Sequence, residues 1–119
     1  MTIPASELIA MREAVEAILP DTCTIKRCSR TADGAGGFTE AWSDVATVKG
    51  RLAPAGARPD ERAVADRLGV LVEWALTLPA LTDVGPGDRV SIGGRTLEVV
   101  WVFTRSTEVA RRVLCREVA

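Results

Sequence analysis

The clearest pattern along the chain is an alternation of apolar and polar residues between positions 71 and 102, which predicts three consecutive β-strands. One face of the first strand is entirely apolar: Val72, Trp74, Leu76 and Leu78. Pro79 ends this strand because it cannot donate a hydrogen bond to a neighbouring strand. Glycine-containing turns then separate two further strands, 89–92 and 95–103. The segment is therefore an antiparallel meander, as found in small sheets and barrels.

The last strand of this meander is apolar on both faces. Its alternation places four residues on one side: Leu97, Val99, Trp101 and Phe103. We expect Trp101 and Trp74 in the core. Val100 and Val102 occupy the other side, although an antiparallel strand usually exposes one face to water. Either the N-terminal helix or a neighbouring subunit must cover them. Val100 and Val102 are therefore candidate subunit-interface residues, and Trp42, which precedes a polar Ser-Asp pair, is a third.

The rest of the chain predicts one helix and several more strands. The helix spans 5–18, between Pro4 and Pro20, and its apolar residues recur at helical spacing: Leu8, Met11, Val15 and Ile18. Alternation predicts the further strands 22–29, 38–42, 45–53 and 110–118, with an interruption at 43–44. The 119 residues suit one domain. We expect it to comprise the helix, barrel strands within 22–53 and 70–118, and a connection at 54–69.

These elements predict a mainly β fold: a small antiparallel β-barrel with an N-terminal α-helix and a long inter-strand loop. The loop at 54–69 is longer than most hairpin connections. It begins like a helix at Pro59 and stops like one at Gly69, but its apolar face is weak. Long polar connections commonly bind a partner or move, and the alternative is a tolerated surface loop.

Two segments are candidate contact loops. The long connection offers these charged residues as candidate channel or ring contacts: Arg58, Asp60, Glu61, Arg62, Asp66 and Arg67. A hairpin tip offers a second set: Asp33, Gly34, Gly36 and Gly37. This tip lacks the Gly-Lys-Ser/Thr helix start of a phosphate-binding loop. We hypothesise that the long connection is the moving part, because weakly packed polar segments open at low free-energy cost.

Charge is balanced along the chain. The formal net charge is −1, with six basic and seven acidic residues up to Ala53 and nine of each from Pro54 onward. A protein whose main activity is electrostatic binding of nucleic acid usually carries a basic block or stripe. The balance therefore argues against that activity, although it does not exclude DNA nearby.

The residue types needed for most catalytic and metal sites are missing or isolated. The chain has no His, and its serines therefore lack the usual general base. Its three cysteines include no Cys-x-x-Cys pair, so zinc is not expected, and we predict reduced thiols. We predict no catalytic, cofactor-binding or metal-binding residues. No signal peptide and no apolar run of about 20 residues is present, so we expect a soluble cytosolic protein.

The order of elements resembles the head-closure proteins of long-tailed bacteriophages, also called head-to-tail stoppers or head–tail connector proteins. The stretches that carry the resemblance are distributed between residues 19 and 100: 19–25 (Leu-Pro-Asp-Thr-Cys-Thr-Ile), 33–40 (Asp-Gly-Ala-Gly-Gly-Phe-Thr-Glu), 51–54 (Arg-Leu-Ala-Pro), 78–79 (Leu-Pro), 83–90 (Asp-Val-Gly-Pro-Gly-Asp-Arg-Val) and 94–100 (Gly-Arg-Thr-Leu-Glu-Val-Val). Each stretch alone is common in small β-proteins, and their order and spacing carry the similarity.

The resemblance implies a structural role without cofactors. Subunits of such proteins form a homo-oligomeric ring between the portal with its adaptor ring and the tail terminator or first tail ring. The ring closes the DNA channel after packaging and docks the tail, so the implied location is the virion neck, assembled in the host cytoplasm. Genomic double-stranded DNA passes without sequence specificity, no membrane is involved, and the loops at 54–69 and 33–37 are candidates to line the channel. The alternative is a small SH3-like or OB-like barrel that binds nucleic acid or peptide.

Overall fold

Six antiparallel strands close into a barrel with the order β1-β2-β3-β6-β5-β4. The computed structural model describes residues 4–55, 59–69, 72–104 and 108–118, apart from the side chain of Asp60. The elements are α1 (Ala5–Ile18), β1 (Asp21–Ala32), β2 (Phe38–Pro54), α2 (Pro59–Leu68), β3 (Trp74–Pro79), β4 (Arg89–Ile92), β5 (Arg95–Phe103) and β6 (Ala110–Val118). The mainly β, barrel-type fold with an N-terminal helix is thereby confirmed. Neither described helix is long and apolar enough to cross a membrane.

The barrel core consists of the inward-facing residues of alternating strand positions. Its fully buried aliphatic side chains come from five strands and include Ile25, Leu76, Val90, Leu97 and Val113. Each such side chain stabilises the fold by about 1.5–3 kcal/mol relative to full exposure. The period-two pattern of the sequence therefore correctly identified Leu76, Leu78 and Leu97 as core positions.

A β-bulge in β5 changes the orientation of its last residues. Val99 pairs with Cys115 and Trp101 with Leu114, so Val100 is the extra residue between them. Beyond the bulge the alternation is inverted, and Val102 packs against the core while Trp101 is 40% exposed. The expectations of a core Trp101 and of a Val102 covered from outside the barrel are therefore wrong. Trp74 is half-buried against the core, and Val100 is half-buried at the bulge.

A second bulge replaces the predicted interruption at 43–44. Ile25 pairs with Ala46 and Lys26 with Asp44, so Val45 is the extra residue and β2 runs on without a break. β1 pairs with β4 only over Cys23–Lys26, and β2 pairs with β3 only over Arg51–Pro54. The remaining length of β1 and β2 forms a two-stranded ribbon beyond the barrel. The described residues consequently span 55 Å in one direction against 30 and 29 Å in the others.

The connection from β3 to β4 crosses one end of the barrel and is clamped to β1. Arg27 donates hydrogen bonds from Nε and Nη2 to Asp88, at 3.1 and 2.8 Å, and from Nη1 and Nη2 to Asp83, at 3.3 and 3.0 Å. Asp88 also accepts the backbone N–H of Gly85 at 2.9 Å. The bonds to Asp88 and then Asp83 raise the pKa of Arg27, and Arg27 lowers the pKa of the Asp83 carboxyl. Val84 lies between Asp83 and Asp88 in the sequence. Its side chain is buried in the core and closes the core at this end.

Helix α1 lies beside the barrel and has no buried residue. It contacts β3 and β6, and Arg12 Nε donates a hydrogen bond to the Glu108 carbonyl at 2.8 Å. Leu8 and Val15 of the predicted apolar stripe are half-buried, whereas Met11 and Ile18 are 42% and 70% exposed. The stripe predicted to pack on the barrel is therefore only half covered.

Gly50 is a position where the core has no room for a side chain. A Cβ built there would lie 2.9 Å from Cys23 Sγ and 3.4 Å from methyl carbons of Leu76 and Leu78. We expect Gly50→Ala to destabilise the fold by about 1–3 kcal/mol through overpacking, measured by urea unfolding. Gly85→Ala is the matched control, since its Cβ would meet no atom within 4 Å and its φ is not positive. Equal stability of the two variants would contradict the packing of β2 on the core.

Two buried thiols predict a loss of stability at alkaline pH. Burial raises the pKa of Cys23 to about 11 and that of Cys115 to about 12. An unfolded thiol has a pKa of about 8.5, so above that pH the unfolded chain has lost protons that the folded chain retains. The free energy of unfolding should therefore fall as pH rises from about 8.5 towards 11, by up to about 1.4 kcal/mol per thiol and pH unit.

The absence of Tyr and the presence of only two Lys keep other groups from dominating this pH range. Urea unfolding in a reducing agent at pH 8, 9 and 10 checks the decline. Cys115→Ala should flatten it, while Cys28→Ala, which removes a half-buried thiol on the ribbon, should leave the slope unchanged. A pH-independent stability in the unmodified chain would refute the burial of both thiols.

Candidate functional site

Within the long connection, residues Pro59–Leu68 form helix α2, in keeping with the helix-like start at Pro59 and stop at Gly69 in the sequence, and one of the candidate residues anchors this helix. Glu61 of α2 is 1% exposed and forms an ion pair with Arg112 of β6. Arg112 Nη1 also donates a hydrogen bond to Thr77 Oγ1 on β3 at 3.2 Å. Because Arg112 and Leu114 are two residues apart on one strand, they share a face, and Leu114 is fully buried without belonging to the core cluster. α2 is therefore tied to the outer face of β3 and β6.

The other candidates of this connection are dispersed. Arg58 lies outside the described residues, and the same holds for the side chain of Asp60. Arg62, Asp66 and Arg67 are exposed. The expectation of weak packing is wrong at Glu61, which is buried and ion-paired. Detaching α2 would separate this buried carboxylate from Arg112, which is energetically costly. Movement of the segment stays a prediction.

The hairpin tip is ordered by the Asp33 side chain. Its Oδ1 accepts the backbone N–H groups of Ala35 and Gly37, at 2.8 and 3.1 Å. Gly34 and Gly36 have φ of +79° and +85°, a region that side chains rarely adopt. The four candidate residues of this tip are thus brought together as one turn at the far end of the ribbon.

One face of the ribbon is partly apolar. Paired residues of an antiparallel ribbon share a face, and the pairs here are Cys28 with Trp42, Arg30 with Glu40, and Ala32 with Phe38. Arg30 and Glu40 form an ion pair at 3.1 Å. Phe38 and Trp42 are 68% and 38% exposed. The ribbon therefore extends a partly apolar surface away from the barrel, which is compatible with the predicted interface position of Trp42.

Trp42 also lines a cleft at the base of the ribbon. The guanidinium carbon of Arg89, on β4, lies 4.4 Å from the centroid of the Trp42 ring. A cleft of about 250 Å³ on one side of this stack is lined by Lys26, Trp42, Arg89, Ser91 and Thr96. We call it the Trp42 cleft. A second cleft of about 410 Å³ shares Trp42 and Arg89 and adds Cys28, Arg30, Glu40, Gly87 and Glu98.

Lys26, Arg89, Ser91 and Thr96 were not predicted to form a group. The alternation of apolar and polar residues indicates that Lys26, Arg89 and Ser91 face outward from their strands. Their outward orientation could therefore have been predicted from the sequence. Their proximity depends on the pairing of β1 with β4, in which Lys26 lies directly opposite Arg89. Strand pairing between distant segments has no local sequence signature.

Among the residues described, no group of three His, Cys, Asp or Glu side chains is placed to hold a metal ion. Within the same part of the chain the three thiols are unpaired, with Cys23 and Cys115 buried and Cys28 half-buried. Cys23 Sγ donates a hydrogen bond to the Val48 carbonyl at 3.4 Å. The buried thiols act as small core side chains.

Comparison with known proteins establishes the fold only. No family model and no curated protein matches this chain. Among solved structures, the fold is similar to the solution structure of protein SF1141 from Shigella flexneri 2a, with a TM-score of 0.65 and 22% sequence identity. The match covers 85% of this chain and 94% of that one. The similarity therefore extends over most of both chains.

The buried ion pair of α2 predicts a large effect of one substitution. Glu61→Ala should leave the Arg112 guanidinium, whose side chain is 18% exposed, without its carboxylate, at a cost of about 3–5 kcal/mol. Urea unfolding checks this value. Asp66→Ala, on the exposed side of the same helix, is the control and should change the stability by less than about 0.5 kcal/mol. Similar small losses for both variants would mean that α2 is not anchored through Glu61.

Proposed function

We propose that this chain is a structural ring subunit of the neck of a long-tailed bacteriophage. In this role the ring lies between the portal with its adaptor and the tail, closes the DNA channel after packaging, and docks the tail. The observation that carries the proposal is the uncovered apolar face of α1. Two further observations support the proposal. The sequence resembles head-closure proteins, and the fold is a barrel from which a ribbon projects.

Helix α1 is poorly supported by its own subunit. It has 14 residues and none of them is buried. Isolated helices of this length are marginal in water, and most helical stability in proteins comes from packing of an apolar face. Met11 and Ile18, which are seven residues apart and therefore share one face of the helix, are nevertheless 42% and 70% exposed. An exposed apolar surface on a helix is typical of an interaction site, and a ring neighbour or adjacent ring would cover it.

The ribbon supports the same role. It projects from the barrel, carries exposed Phe38 near its end, and is held in shape by its own cross-strand pairs. Between the two candidate channel segments, the anchoring of α2 by Glu61 favours the ribbon tip at 33–37 as the one that reaches into the channel. We propose a structural role without catalysis. The proposed interface contains Trp42 and the partly exposed Val100 but not Val102, whose side chain faces inward.

Disruption of the α1 face should block assembly without unfolding the subunit. Ile18→Arg introduces a charge at a position that is 70% exposed in the free subunit, so the monomer should keep its circular dichroism spectrum and melting temperature. In lysates of the host that carries the gene, electron microscopy should show heads that lack tails or have lost their DNA.

Ala17→Arg is the matched control, because it adds the same charge one residue away on another exposed side of α1. This variant should yield tailed, filled particles. Normal particles from the Ile18→Arg gene, or from a deletion of the gene, would overturn the proposal.

The alternative function is that of a small SH3-like or OB-like binding module. The Trp42 cleft is the observation that favours it. Such a module is expected to stay monomeric, whereas a ring subunit with an uncovered α1 face should associate as its concentration rises. Light scattering of the purified chain over a range of concentrations separates the two functions.

A further inference from the structure

We infer that the Trp42 cleft binds single-stranded nucleic acid, with Lys26 and Arg89 contacting the phosphates and Trp42 stacking on a base. This inference goes beyond the proposed neck role and does not depend on ring formation, since all the residues of the cleft belong to one subunit. It rests on an arrangement of charges, hydroxyl groups and an exposed indole that the fold itself does not require.

The two cations of the cleft are neighbours on two paired strands. Lys26 on β1 is directly opposite Arg89 on β4, and like charges in that position destabilise a sheet. Within the described part of the chain, neither side chain has an ion-pair partner. An anion bound between the two side chains would reduce this repulsion, so the pair is suited to anion binding.

The nearby carboxylates are largely occupied by other arginines. Glu98, opposite Arg89 on β5, accepts hydrogen bonds from Nε and Nη2 of Arg116 at 3.0 and 2.7 Å. Glu40, in the neighbouring cleft, pairs with Arg30 at 3.1 Å. Asp44, opposite Lys26 on β2, is the carboxylate that remains closest in register to the cleft, and it has no ion pair among the described residues. The local charge is therefore positive although the whole chain is near neutral.

Arg89 has donors available for a phosphate. Its guanidinium carbon lies over the Trp42 ring, 4.4 Å from the ring centroid, and the group carries five N–H donors. No described acceptor receives a hydrogen bond from these donors. Ser91 and Thr96, which pair with each other across β4 and β5, add exposed hydroxyl groups to the same cleft. Backbone phosphates are commonly contacted by Arg, Lys and hydroxyl side chains in this manner.

The indole determines the kind of nucleic acid. Trp42 is 38% exposed although Arg89 stacks on it. Stacking of a base on an aromatic side chain contributes about 1–3 kcal/mol and requires an unpaired base. A duplex could use only the cations and hydroxyl groups, so the cleft should prefer a single strand.

The test is fluorescence anisotropy of a labelled 12-nucleotide single strand of mixed sequence, titrated with the full chain at low salt. Two phosphate contacts on a single strand predict a slope of about −1.4 in log K against log salt concentration. Lys26→Gln should weaken binding and reduce the slope to about −0.7. Lys49→Gln is the matched control, because it removes the only other lysine of the chain. Lys49 lies on β2, is not among the residues that line the cleft, and donates a hydrogen bond to Thr22 Oγ1.

Two further variants separate charge from stacking. Trp42→Leu should weaken binding of the single strand about tenfold while keeping its salt slope, and should not affect a duplex of the same length. Asp44→Asn should tighten binding several-fold by removing the remaining carboxylate. Thermal melting of each variant confirms that it is folded.

Several outcomes would overturn the inference. They are absence of binding at low salt, equal losses for Lys26→Gln and Lys49→Gln, or a duplex bound as tightly as the single strand and insensitive to Trp42→Leu. Displacement of the oligonucleotide by inorganic phosphate, beyond the effect of sodium chloride at equal ionic strength, would reassign the cleft to a small anion. Because these measurements use the isolated chain, they are independent of the assembly test of the neck role.

Discussion

Closure of the barrel depends on a short pairing between β1 and β4. Only four residue pairs, from Cys23 to Lys26, join these strands. Beyond them, Arg27 continues the connection through its side chain to Asp88, whose own side chain is 6% exposed, and to Asp83. A buried carboxylate that receives two charged hydrogen bonds and a backbone N–H is among the stronger polar interactions in a protein. The clamp thereby holds the β3–β4 connection over the end of the barrel.

The same closure creates both of the candidate functional surfaces on this side. Because the pairing with β4 ends at Lys26, the rest of β1 can continue with β2 as a free ribbon. Because the pairing is antiparallel and in this register, Lys26 and Arg89 lie side by side at the point where the ribbon leaves the barrel. The ribbon and the Trp42 cleft are thus consequences of one strand junction.

The helices occupy a different part of the barrel surface. α1 contacts β3 and β6, and Glu61 of α2 pairs with Arg112 of β6. Leu114 and Ala75, paired across these strands, are fully buried outside the core cluster. The helices therefore lie beside β3 and β6, whereas the surface formed by β1, β2, β4 and β5 carries the cleft. This division is what a subunit needs if it makes protein contacts through α1 and binds another ligand elsewhere.

The sequence by itself determined most elements of the fold, because they follow from local rules. Period two identified β3 to β6, Pro4 and Pro20 bracketed α1, and the Gly93-Gly94 turn, with φ of 56° and 77°, fixed the β4–β5 hairpin. Only the tertiary structure decided where the alternation slips. The extra residue Val100 turns Val102 inward and Trp101 outward, and a bulge depends on the partner strand as much as on the residue itself. The burial of Glu61 and the meeting of Lys26 with Arg89 were likewise decided by contacts between distant segments, whose pairing energy leaves no local trace in the sequence.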